Sequence, residues 1–139
     1  MTTRVGTTGD LASCLAIRAA VFVIEQGIAA EEDIDGRDAD AVQFLIFLNE
    51  TPVGTARMLI DGDTGKIGRV AVLKDHRGAG YGKRLIEAAV AEAQARGLAR
   101  VKLGAQVEAT GFYAALGFTP VGDVFSDAGL PHQMMVRAL

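Results

Sequence analysis

Apolar side chains recur along the chain with a period that switches between two and about 3.6 residues, and the switches divide it into elements. Residues 4–6 form a short extended piece, and Thr7-Thr8-Gly9-Asp10 places capping oxygens before a helix. Leu11, Cys14, Leu15, Val21 and Phe22 then share a helical face, with one cation, Arg18, set within the stripe. Two β-rich runs, residues 44–48 and 53–60, are separated by Asn49-Glu50-Thr51-Pro52, a hairpin signal. Gly62-Asp63-Thr64-Gly65 turns the chain again into a strand at residues 67–73, so the first half predicts an antiparallel meander. Leu85, Ile86, Ala89, Val90 and Ala93 line one face of a long helix whose other positions carry Lys83, Glu87, Glu92 and Arg96, and Gly97 stops it. A strand at residues 100–103, a short helix at 109–116 and strands at 118–124 and 133–139 complete the order. No repeat, linker or low-complexity tract interrupts it, so the 139 residues predict one domain over residues 1–139.

Ahead of the meander stand Glu31, Glu32, Asp33, Asp35, Asp38 and Asp40, too much charge for a core, so residues 31–40 read as a surface loop or short helix. Asp33-Ile34-Asp35-Gly36 is similar to the start of a calcium loop, but the required glycine spacing and distal glutamate are missing. A solvated face is the simpler reading. The formal net charge of −3 offers no basic field for nucleic-acid phosphates, while a hydrophobic half supplies a core. Cys14, the single cysteine, cannot close an internal disulfide and reads as a small buried apolar residue. No Cys/His set suggests a metal. With no basic-then-apolar leader and no run near the ~20 apolar residues that span a bilayer, the expectation is a cytoplasmic protein without a membrane or nucleic-acid partner.

Strand, glycine loop and long amphipathic helix follow one another from Ile67 to Gly97, with Arg77-Gly78-Ala79-Gly80-Tyr81-Gly82 and Lys83 as the loop. This order aims unpaired helix N-terminal amides at an anion, and glycines let phosphate oxygens approach the backbone. Arg77 and Lys83 can add charge-assisted hydrogen bonds. A P-loop would need Gly-Lys followed by Ser or Thr, but Gly82-Lys83 precedes Arg84. A dinucleotide fingerprint would need a third glycine where Lys83 stands.

The loop resembles the Arg/Gln-x-x-Gly-x-Gly/Ala signature of the GNAT superfamily of N-acetyltransferases. Phe112-Tyr113-Ala114-Ala115-Leu116-Gly117-Phe118 is similar to the Phe-Tyr-x-x-x-Gly-Phe segment that the superfamily places after strand five. Residues 18–26, Thr55-Ala56-Arg57, residues 66–72 and residues 129–135 further resemble the ElaA-like acetyltransferases. Gln106 stands where the superfamily often has asparagine, and Gln43 where the subgroup often has histidine. The resemblance implies an α/β fold: a mixed, mainly antiparallel sheet of six to seven strands, helices on both faces, and a cleft between the strands around residues 67–73 and 101–105. It implies acetyl-CoA as cosubstrate and an acetyltransferase acting on a small-molecule amine; an acyl-CoA-binding module without turnover is the alternative.

By the same resemblance, the backbone of Val70, Ala71 and Val72 would meet the pantetheine arm, with Gln106 nearby, and the amides from Arg77 through Gly78, Ala79, Gly80, Tyr81 and Gly82 to Lys83 would hold the pyrophosphate. Acetyl transfer needs a neutral amine and a proton for the departing thiolate, tasks that suit Tyr113 as acid and His132 as base, with Glu25 as an alternative base. Arg18, Arg57 and Arg69 sit where a cation needs a reason. Two accounts stand open: the three clamp an acidic acceptor, or they pair with the acidic segment. A C-terminal edge strand allows a homodimer.

Overall fold

In the computed structural model, which describes residues 2–139, β1 (Thr3–Thr8) leads into α1 (Leu11–Arg18), a π-helical stretch (Ala19–Glu25) and the one-turn helix α2 (Ala30–Asp33). The meander follows as β2 (Val42–Leu48), β3 (Thr51–Asp61) and β4 (Thr64–Val72). The long helix α3 (Tyr81–Ala95), β5 (Arg100–Gln106), the short α4 (Thr110–Ala115), β6 (Thr119–Asp127) and β7 (Leu130–Ala138) complete the chain. All seven strands join one sheet of order β1-β2-β3-β4-β5-β7-β6, antiparallel except for the β4–β5 pair. The expected mixed sheet with helices on both faces is therefore present.

β2 reads as almost continuous apolar sequence because both of its faces are buried. Phe44 and Ile46 enter the core beneath α3 with Met58, Ile67, Leu85, Ile86, Val101 and Leu103, whereas Leu45 faces Cys14, Ile17 and Val21. Cys14 is completely buried, as its place in the apolar stripe predicts.

Where boundaries differ from the sequence reading, turns supply the reason. Asn49 adopts φ 57°, so the first hairpin turns on Asn49-Glu50 and β3 already contains Thr51 and Pro52. Pro52 is tolerated there because the register shifts between Ile46 and Phe47. Ala128 and Gly129 turn the β6–β7 hairpin at φ 52° and 76°, so β7 begins at Leu130 and takes His132 into the sheet. The first helix is α-helical only to Arg18; beyond it the N–H of Gln26 reaches back to the Val21 carbonyl at 3.1 Å, the wider turn of a π-helix.

All three arginines pair with the acidic segment. Arg18, 1% exposed, donates Nε to Asp33 at 3.1 Å, Nη1 to Asp38 at 2.6 Å and Nη2 to the Asp33 carbonyl at 2.8 Å. Arg57 pairs with Asp35 and, at 3.1 Å, with Asp38. Arg69 reaches the Asp33 carboxylate at 3.2 Å and Asp35 at 3.5 Å. The charges of Arg18 and Arg57 are therefore matched within the fold, and their side chains are closed to solvent, which favours the pairing account of these two arginines. A buried guanidinium without these partners would be costly, so the acidic segment is drawn onto the sheet rather than left as a solvated face. Gln43 joins the knot by donating to Asp38 at 3.2 Å.

At Gly54 an added Cβ would lie 2.9 Å from a methyl of Ile46 and 3.2 Å from the Ala71 carbonyl oxygen, and that backbone atom cannot move aside cheaply. Gly54→Ala is expected to lose about 1–3 kcal/mol of stability, read from the denaturation midpoint; an unchanged midpoint would mean the sheet yields there. The Arg57 guanidinium holds the Asp35 carboxyl far below the usual carboxylate range, and Asp38 lies low because its arginine partners outweigh its burial. Their stabilising effect is full above the unfolded carboxylate value of about 3.9 and is lost as pH falls from there through the folded values. Asp35→Asn should flatten the fall of unfolding free energy below about pH 4; an unaltered slope would exclude this pair from the acid response.

Candidate active site

Parallel pairing between β4 and β5 runs from Thr64–Arg100 to Ile67–Leu103 and stops, although both strands continue. Two local causes pull them apart. On β4, Arg69 and Val70 bulge opposite β3, where Arg57 pairs with Gly68 and Thr55 with Ala71, and Arg69 takes φ 51°. On β5, antiparallel pairing with β7 persists to Gln106–His132 and carries that strand away. A cleft of about 350 Å³ fills the gap, lined by Gly68, Arg69 and Val70 on one side and Leu103, Gly104 and Gln106 on the other.

The cleft brings together several residues that the sequence singles out: Tyr113, His132, Arg69, Val70 and Gln106 all line it. Tyr113 rides on α4, its ring edge-on to Phe112 at 5.0 Å and to Phe118 at 6.1 Å. Gly117, at φ 92°, ends α4 and lets the Phe118 amide return to the Tyr113 carbonyl at 3.1 Å, which explains physically why tyrosine, glycine and phenylalanine keep this spacing. Burial pushes the Tyr113 phenol above its ordinary value, so it stays protonated. His132 lies opposite Gln106 and Phe125. Its Nδ1 is 2.8 Å from the Leu130 carbonyl, which can only accept, so Nδ1 donates there and Nε2 is the nitrogen that carries the lone pair of the neutral ring.

Glu25 is not among the cleft-lining residues. Both of its oxygens accept from Arg77, at 2.5 and 2.6 Å, and this pairing lowers its pKa. Arg77 also donates Nε to the Val72 carbonyl at 3.0 Å. Its side chain thus ties the end of the π-helix to β4 and is already engaged, whereas the sequence reading had it free to reach a phosphate.

Beyond Arg77 the glycine loop presents backbone. Gly78 and Gly80 lie at φ 84° and 82°, and a Cβ at either would meet nothing within 4 Å. Left-handed conformation, not crowding, is what demands glycine there. The first helical bond of α3 is from the Arg84 amide to the Gly80 carbonyl at 3.1 Å. Among the described residues the amides of residues 78–83 find no protein acceptor, so they form a cluster of donors at the positive end of a helix of 15 residues. Tyr81 turns its ring into the core, and Lys83 lies on the exposed side of α3, 3.8 Å from Glu87. Ala71 is buried and paired with Thr55, and Val72 with Gly54, which leaves the β4 edge facing the cleft without a partner strand.

Phe22, Gln26, Glu32, Lys66, Phe125 and Asp127 also line the cleft. Sequence reasoning made none of them a candidate site residue, since strand register and the π-helical turn that aim them carry no local signature. Among the described residues no cluster of three metal-ligating side chains occurs, and no helix is long and apolar enough to cross a membrane.

Comparison with known proteins agrees with this geometry. The chain is 36% identical over 122 residues to an uncharacterized N-acetyltransferase, YjcF, of Bacillus subtilis (strain 168), covering 87% of each protein. The crystal structure of Escherichia coli ElaA superposes with a TM-score of 0.84 at 33% identity, covering 98% of both chains. That of an acyl-CoA N-acyltransferase from Pseudomonas aeruginosa gives 0.86 at 28% identity, covering 99% of both. Residues 16–139 match the acetyltransferase (GNAT) domain, and with the splayed strands and the glycine loop in place, this chain belongs to the GNAT acetyltransferase family.

Proposed function

We propose that the protein moves acetyl from acetyl-CoA to the amine of a small molecule by direct attack within the β4–β5 cleft. The observation that carries this reading is the single cleft that runs along the unpaired edge of β4 and holds both Tyr113 and His132. Amides of residues 78–83 are suited to a pyrophosphate, and the open backbone edge at Val70 and Val72, on either side of Ala71, which is paired with Thr55, to the amides of a pantetheine arm, with Gln106 across the gap. Val72 would contribute through its N–H, because its carbonyl already accepts from Arg77.

In this mechanism the amine nitrogen attacks the thioester carbonyl carbon, and the carbon–sulfur bond breaks. His132 Nε2 takes the proton that the amine sheds, and the Tyr113 hydroxyl gives a proton to the departing thiolate. A phenol kept protonated by burial suits that second task. We assign the base to His132 rather than Glu25, whose carboxylate is occupied by Arg77 and lies off the cleft. Arg69 alone of the three arginines faces the cleft, and its Nη1 makes no hydrogen bond among the described residues. The free Cys14 thiol and a CoA donor both suit a reducing, cytoplasmic compartment.

The test is release of free CoA thiol from acetyl-CoA across amino acids, amino sugars, aminophosphonates and polyamines. Amine-dependent release supports the transferase; CoA binding without turnover for any amine would favour a binding module instead. Tyr113→Phe is expected to lower kcat by roughly 10²–10⁴ with acetyl-CoA affinity nearly unchanged, and an unchanged kcat would remove Tyr113 from the mechanism. His132→Ala should abolish the acidic limb of the pH–rate profile while Glu25→Gln preserves it; the reverse pattern would transfer the base to Glu25.

A further inference from the structure

Lys66, Gly68, Arg69 and Asp127 line two cavities at once: the cleft, and a second hollow of about 450 Å³. Ile67, Val101 and Leu103 point into the core beneath α3, so by strand alternation Lys66 and Lys102 stand on the opposite face of the sheet. The two lysines are direct partners in the parallel β4–β5 pair, on strands about 4.8 Å apart. Neither forms an ion pair among the described residues, in contrast to Arg57 and Arg69 beside them.

Like charges set opposite one another on a sheet face destabilise it. They are not explained by a generally basic surface, because the chain carries a net charge of −3. Arg37 also lines the hollow, so three cations that form no ion pair among the described residues gather beside Arg69. Burial and the nearby Arg57 lower the Arg69 pKa, as expected for a cation crowded by another. Asp35, Asp61 and Asp127 also line the hollow; Asp35 is paired with Arg57 and Arg69, and the other two carboxylates limit the room for a large anion.

We propose that Lys66 and Lys102, with Arg69, form an anion subsite that holds the carboxylate or phosphate of the acceptor while its amine reaches His132. This rests on the acetyltransferase reading above and adds a substrate class to it: a small amine with an anionic group several bonds from the nitrogen. Arg69 spans the two cavities, so one molecule can touch the lysine pair and the cleft together. An acidic acceptor thus returns on a lysine pair together with Arg69, the one member of the arginine trio that lines the cleft.

Matched amines decide the matter in the thiol-release assay: O-phosphoethanolamine and 4-aminobutanoate against ethanolamine, butylamine and putrescine. The anionic amines are expected to have the higher kcat/KM, and the better of the two identifies phosphate or carboxylate as the group held. A Lys66→Gln/Lys102→Gln double variant should raise KM for the preferred anionic amine roughly tenfold, with kcat and the acetyl-CoA KM unchanged. Equal or better use of the neutral or cationic amines overturns the proposal, as does an unchanged KM in the double variant. If CoA binds but no amine is turned over, O-phosphoethanolamine titrated into the CoA complex provides a second readout by amide NMR. Saturable shifts at Lys66, Gly68, Arg69 and Lys102 support the subsite, and their absence overturns it. Failure to bind CoA at residues 78–83 would overturn both the acetyltransferase reading and the subsite.

Discussion

Parting of β4 from β5 beyond Ile67 and Leu103 is the constraint on which the rest of this molecule depends. In a closed parallel pair the backbone groups of both edges would satisfy one another, and no cleft would exist. Here β4 is bent by a two-residue bulge against β3, and β5 is held by β7 as far as Gln106. The unpaired edges must then find partners in water or in a ligand with amides of its own. A pantetheine arm is such a ligand, and this is the physical basis for the acyl-CoA site proposed at the opening.

Two sets of contacts stabilise the bend. Arg69 adopts a left-handed conformation that costs an ordinary residue about 1–2 kcal/mol, and its guanidinium is anchored to Asp33 and Asp35. Those aspartates are in turn fixed by Arg18 and Arg57, so the loop over the cleft and the bulge beneath it form one ionic knot. At the other end, Arg77 bridges Glu25 and the Val72 carbonyl and links the π-helical wall to the strand that feeds the glycine loop. The π-helical wall and the glycine loop are thereby attached to the same strand. Arg18, Arg57 and Arg77, which resemble binding groups in the sequence, are thus engaged in ion pairs that join the walls of the cleft.

Much of the fold was legible because local chemistry dictated it. The period of Leu85, Ile86, Ala89 and Val90 required a helix, the apolar run in β2 required burial on both faces, and Gly62, Gly97 and Gly117 ended elements where left-handed backbone was needed. Arg18, Arg57 and Glu25 were less tractable. A sequence records that a cation or carboxylate is present, but ion pairs at separations of 15, 22 and 52 residues depend on which distant element the fold brings alongside.

By itself, then, the sequence determined the elements, the glycine loop and the Phe-Tyr-x-x-x-Gly-Phe segment, since each rests on interactions between residues a few positions apart. Only the tertiary structure decided that His132 lies within a strand opposite Gln106, that Arg77 is held by Glu25, and that Lys66 and Lys102 stand side by side with no ion pair among the described residues. Strand register and long-range charge pairing create those neighbours. Both are properties of how the strands pack together, which no short stretch of chain encodes.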